Sequence, residues 1–245
     1  MTGIFSGVIT AMITPFKDGK VNTDTLGKLI DYQIEGGTDA LVILGTTGEP
    51  STMTEAEKEQ TIRYSIEKAA KKIKIIVGVG SNDTSKAVAA AERAERLGAD
   101  GVLAVTPYYN KCTQRGIFEY YSAICNATKL PVIAYNVPSR TGVNILPETA
   151  EKLASLSNLA GIKEASGNMA QVCETMRRVR GKVDIFSGED GLNLPILAIG
   201  GAEGRKAGCG RSSCRYPVLQ QVYPKRNFRV LQRDLQCNHA PRYRI

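Results

Sequence analysis

Seven short, nearly continuous apolar runs recur over the first 186 positions, and they constrain the fold more than any other feature of the chain. They fall at residues 7–13, 40–44, 74–79, 101–105, 131–135, 159–163 and 183–186. Unbroken β-branched runs of this length are the pattern of parallel strands covered on both faces. The first and last begin 176 residues apart over six repeats, about 29 residues each, which is the length of one βαβ unit. Helical patterns fill the intervals. Leu26, Leu29, Ile30 and Ile34 share one face ahead of Gly36-Gly37, a helix stop. Thr54 and Glu57 form a T-x-x-E capping box, and Asp83 or Thr84 is placed to cap a helix that ends at Gly98. Eight such units make a closed (β/α)8 TIM barrel of about 250 residues. A doubly wound open sheet is the competing α/β architecture, but it carries a glycine-rich phosphate turn after an early strand. Neither G-x-G-x-x-G nor G-x-x-x-x-G-K-[ST] is present, so the barrel is the preferred reading.

The repeat stops at Gly204. The next residues, Arg205-Lys206-Ala207-Gly208-Cys209, offer no apolar eighth strand. Residues 205–245 hold ten Lys/Arg against the single acid Asp234, half of the six cysteines and the only histidine, His239. The formal charge of +8 is therefore a property of this segment, because residues 1–204 carry 22 bases and 23 acids. High basicity here is no argument for specific nucleic-acid binding by the body. The division read from sequence is a 1–204 body of barrel units one to seven and a 205–245 basic tail. The tail is expected to be poorly ordered, the product of a frame shift near codon 205. Without an eighth strand, the first and seventh strands would keep unpaired edges.

Composition narrows the chemistry. A body without histidine holds no Ser-His-Asp triad, no Cys-His dyad and no histidine metal site. The cysteines lack a C-x-x-C pair, and Cys112, Cys125 and Cys173 read as reduced thiols. No apolar run approaches a membrane span and the first residues lack a basic signal-peptide region, so cytoplasm is the default compartment.

In a βα barrel, reactive groups sit at the C-terminal ends of strands and in the loops that follow. The second strand runs into G-T-T-G-E at 45–49, an anion-binding turn or simply a tight turn before a helix. Tyr109 follows the fourth strand, Tyr135 ends the fifth, and Arg140 follows it. A tyrosine there relays protons or is merely buried, and an arginine clamps a carboxylate or faces water. Glu189-Asp190 after the seventh strand serve a cation or a turn. Lys163 ends the sixth strand, pointing opposite Ile162 and Glu164 and into the barrel mouth. Desolvation there lowers its pKa and makes the amine a nucleophile toward carbonyls, the alternative being a lysine paired with a carboxylate.

Taken together, G-T-T-G-E at 45–49, Y-N-V-P-S-R-T-G at 135–142 and G-I-K-E-A-S-G at 161–167 resemble the dihydrodipicolinate synthase family of pyruvate-dependent class I aldolases. The resemblance spans residues 1–204. It implies a (β/α)8 barrel that condenses pyruvate with L-aspartate 4-semialdehyde in lysine and diaminopimelate biosynthesis. Lys163 would form the Schiff base with pyruvate. Tyr135 would move protons in a relay with Thr46 and with Tyr109, which in the family reaches in from a neighbouring subunit. Thr47 would hold the pyruvate carboxylate, Arg140 the semialdehyde carboxylate, and the Gly188 backbone would line the pocket. The resemblance implies no metal or organic cofactor, no membrane, and a homotetramer built as a dimer of dimers. Two other readings stand beside it: a sister aldolase like N-acetylneuraminate lyase, and a catalytically dead fragment. Glu55, Lys58 and Lys86 occupy positions where lysine-sensitive members tend to carry two histidines and a glutamate, which implies weak or absent feedback by lysine.

Overall fold

The structure, a computed structural model, describes residues 3–201 and the backbone of 219–220. Strand β1 (Ile9–Ala11) is followed by a small antiparallel hairpin, β2 (Phe16–Lys17) and β3 (Lys20–Val21), and then by α1 (Thr23–Glu35). From there strands and helices alternate: β4 (Ala40–Ile43), α2 (Glu55–Ala69), β5 (Lys74–Gly78), α3 (Thr84–Leu97), β6 (Gly101–Val105) and α4 (Gln114–Ala127). Strand β7 (Val132–Asn136) leads through the short α5 (Pro138–Thr141) and α6 (Pro147–Leu153) to β8 (Leu159–Glu164). Helix α7 (Met169–Val179), β9 (Asp184–Ser187) and α8 (Asn193–Ala198) complete the series, with a two-residue strand β10 (Leu219–Gln220) beyond. All seven expected strands are present, with every end within two residues of its expected position.

Local chemistry places the helices. The Thr54–Glu57 capping box forms in both directions, with Thr54 N donating to Glu57 Oε2 at 2.9 Å and Glu57 N to Thr54 Oγ1 at 3.2 Å. Asp83, rather than Thr84, caps α3 by accepting from the backbone N–H of Ser85 at 2.9 Å. The cap of α1 is Asn22, whose side chain accepts from Thr25 N. Gly98 ends α3 at φ 88°, a left-handed conformation that glycine adopts without strain.

The strands make one parallel sheet in the order β10-β1-β4-β5-β6-β7-β8-β9, curled with helices outside. Alternation sorts its side chains into two layers. Leu41, Ile43, Ile75, Val77, Val102 and Ile162 pack against Ile30, Ile62, Ala91 and Val172 of the helices. Ile9, Val42, Ile76, Leu103, Ile133 and Phe186 fill the inner face. Phe5, 2% exposed, plugs that inner layer from the N-terminal segment. Gly3 N tethers the same segment to Asp184 Oδ2 of β9 at 2.7 Å.

One expectation is corrected. The first strand does not keep a bare outer edge, because Leu219 and Gln220 pair in parallel with Ile9 and Thr10. An extended backbone supplies ladder donors and acceptors whatever its side chains, so the absence of an apolar run did not forbid it. Strand β9 pairs only with β8 among the described residues, leaving a half-barrel rather than a fully laddered one. The expected disorder of residues 205–245 otherwise lies outside the described residues.

Gly161 of β8 marks a close inner contact. A Cβ there would stand 2.4 Å from Phe186 Cε2 and 2.9 Å from Asp184 O. We predict that Gly161→Ala lowers stability by about 1–3 kcal/mol, read as a drop in the urea midpoint with an unchanged slope.

Candidate active site

The C-terminal ends of the strands open into one cleft of about 380 Å³, lined by Ala11, Val42, Gly45, Thr46, Thr47, Leu103, Tyr135, Arg140, Lys163 and residues 188–191. Six of the seven residues expected from sequence meet there: Thr46, Thr47, Tyr135, Arg140, Lys163 and Gly188. The seventh, Tyr109, lies outside the cleft, 86% exposed on a backbone at φ 76°.

Lys163 is 6% exposed, and its Nζ lies 4.3 Å from the centroid of the Tyr135 ring. The aromatic face favours the ammonium form, but burial outweighs it. Desolvation, aided by the Arg140 charge, brings the amine down to about 8 from an ordinary 10.5. No carboxylate pairs with Lys163 among the described residues, so the desolvated alternative is the one the fold adopts. Burial pushes the Tyr135 phenol up and keeps it protonated near neutrality, an effect the Arg140 charge partly counters. Tyr135 is braced from behind by Tyr121, whose hydroxyl donates to Ala104 O at 2.9 Å and accepts from Tyr135 N at 3.3 Å.

The flanking loops are shaped by close approach. Beyond β4, Leu44 sits at φ 58°, an uncommon conformation for a branched side chain, and turns the chain into a 3-10 segment at Thr46–Gly48. Gly48 N closes this turn on Gly45 O at 2.8 Å, and Thr14 Oγ1 donates to Gly48 O at 2.8 Å. Gly188 is glycine because of its neighbour: a Cβ would stand 2.8 Å from Lys163 Cε and 3.0 Å from Cγ. Pro138 opens α5 and places Arg140 in its last turn, at the rim of the cleft. Glu189 and Asp190 line the same rim, with Asp190 starting a 3-10 turn. Among the described residues no group of three or more His, Cys, Asp or Glu side chains gathers to hold a metal ion.

A family model, the dihydrodipicolinate synthetase family, matches residues 4–207. The chain belongs to that family. It is 54% identical over 198 residues to the 4-hydroxy-tetrahydrodipicolinate synthase of Alkaliphilus oremlandii, covering 81% of this chain and 68% of that protein. It is 49% identical over 198 residues to the synthase of Clostridium novyi, covering 81% and 67%. Among solved structures, dihydrodipicolinate synthase from Aquifex aeolicus superposes with a TM-score of 0.79 at 43% identity, over 81% of this chain and 68% of that one. A monomeric dihydrodipicolinate synthase variant gives the same TM-score at 44% identity, over 82% and 68%. No helix among the described residues is long and apolar enough to cross a membrane.

For this family member the buried amine is a stability liability. Its pKa is depressed on folding, so the unfolded chain binds more protons between about 8 and 10.5. The deficit is fully present below pH 8 and fades as pH rises toward 10.5. Lys163→Met is expected to stabilise the fold at pH 7 by about 1–3 kcal/mol. The gain should shrink steadily in denaturant melts taken from pH 8 to pH 10.

Proposed function

We propose that this chain condenses pyruvate with L-aspartate 4-semialdehyde to 4-hydroxy-tetrahydrodipicolinate through a Schiff base at Lys163. The observation that carries this reading is the unpaired, buried Lys163 amine, brought to about 8 and held over Tyr135 in a cleft open at the strand ends. At an ordinary pKa only about 0.04% of the amine is free at pH 7, whereas at about 8 roughly a tenth is. The free amine adds to the keto carbon of pyruvate and water leaves, giving a protonated imine. That imine is the electron sink for removing a methyl proton, and the enamine so formed attacks the aldehyde carbon.

The remaining residues take roles their positions support. Tyr135, kept as a phenol, exchanges protons with Thr46 at the rim and with Tyr109 of a neighbouring subunit. The exposure of Tyr109 outside its own cleft fits delivery to another copy, and the proposed assembly is a dimer of dimers. Thr47 holds the pyruvate carboxylate, Arg140 the semialdehyde carboxylate, and the Gly188 backbone shapes the wall beside the imine. Arg140 and the paired threonines favour this synthase over a lyase-like sister. The reaction as proposed needs no added cofactor, and its place is the cytoplasm.

Incubation with pyruvate and borohydride should leave an adduct on the peptide carrying Lys163 and on no other. Lys163→Arg should abolish it, and the trapping rate should rise about tenfold per pH unit below pH 8 and level off above. A wild-type chain that yields no adduct is what the catalytically silent alternative gives. Lysine is expected to inhibit turnover weakly or not at all, with Glu55 engaged by Lys58 at 2.7 Å and by Arg93. A lysine titration of activity checks this.

A further inference from the structure

The cleft residues on β7 and β8 have partners on the other side of the sheet. Tyr135 stands opposite Lys163 in the ladder, and the next rung sets Asn136 opposite Glu164. Because side chains alternate, the first pair faces the cleft and the second faces the helices. On that outer face Asn136 Nδ2 donates to Glu164 Oε1 at 3.2 Å and Oε2 at 3.1 Å. Both side chains are buried, and no lysine or arginine pairs with Glu164 among the described residues.

Each partner is fixed from a second direction. Glu164 Oε1 accepts from Ser166 N at 2.7 Å. Asn136 Oδ1 accepts from Ile145 N at 2.9 Å, and its Nδ2 also donates to Asn144 Oδ1 at 3.0 Å. Asn144 in turn donates to Gln171 Oε1 of α7 at 2.7 Å. At the other end of the same two strands the register shifts between Val132 and Ile133. The ladder alone therefore does not hold one register along its length, and a one-residue slip would turn Lys163 out of the cleft.

We propose that Asn136 and Glu164 are positioning residues, whose hydrogen bond across the outer face of β7 and β8 locks the register that sets the Lys163 amine over the Tyr135 ring on the inner face. Its catalytic consequence rests on the Schiff-base reading above. A buried carboxylate without a cation is a costly strand clamp, and what it supplies is geometry.

The test compares the wild-type chain with Asn136→Asp, Glu164→Gln and the double variant that exchanges donor and acceptor. In the double variant the Gln amide donates to the new Asp, and the Asn144 and Gln171 amides turn over to follow, giving up only the long Gln171 Nε2 bond to Ile145 O at 3.3 Å. Three quantities are read: melting temperature, the rate of pyruvate trapping at Lys163 by borohydride, and acetylation of Lys163 relative to exposed lysines without pyruvate. Each single variant should slow trapping about 10- to 100-fold and change the acetylation ratio, while the double variant recovers both. A single variant that traps at the wild-type rate overturns the proposal. So does a double variant that melts like wild type yet traps as slowly as the singles. A wild-type chain that forms no adduct overturns the Schiff-base reading alone. The acetylation ratios then decide the positioning claim, which falls if the singles leave them unchanged.

Discussion

The desolvation of one ammonium group is the constraint on which the rest of this structure turns. Lys163 gives up hydration without gaining a carboxylate among the described residues, and the face of the Tyr135 ring returns only part of that free energy. The fold carries the deficit because the surrounding strands bury enough apolar surface to offset it. What the deficit provides is an amine that is partly unprotonated near neutral pH, and every proposed chemical step begins from it. The same burial keeps Tyr135 protonated, so the two groups enter the cleft in complementary states.

That cleft is only as well defined as the strands that frame it. Its inner wall depends on glycines where Lys163 and Phe186 approach backbone too closely for a Cβ, at Gly188 and Gly161. Its outer support is polar. Tyr121 ties the backbone of Tyr135 to β6, and the Asn136–Glu164 bond ties β7 to β8. Reactive groups on one face of the sheet are thus placed by hydrogen bonds on the other, a separation that keeps competing partners away from the amine.

Much of this was legible in the chain because it was local. Continuous apolar runs marked each strand, and the Thr54–Glu57 box marked a helix start within a single turn. The face taken by Lys163 followed from the two-residue period of a strand. Less legible were features that depend on distant segments. Phe5 plugging the inner layer, and Tyr121 bracing Tyr135, join residues whose sequence separation carries no local pattern. Glu164 was visible only as the residue after the lysine, since nothing in its neighbours says that Asn136 will stand across from it. The β10 pairing escaped for another reason: backbone hydrogen bonding is indifferent to side-chain type, so it leaves little trace in composition.

The sequence by itself determined the alternation of strand and helix, the absence of histidine chemistry from the body, and the identity of the groups brought to the strand ends. Those follow from residue type and period alone. Only the tertiary structure decided that Lys163 is desolvated rather than ion-paired, and that Tyr109 stands outside the cleft while six other residues converge in it. Solvation and convergence are properties of what surrounds a side chain, and the surroundings are supplied by segments far apart in the chain.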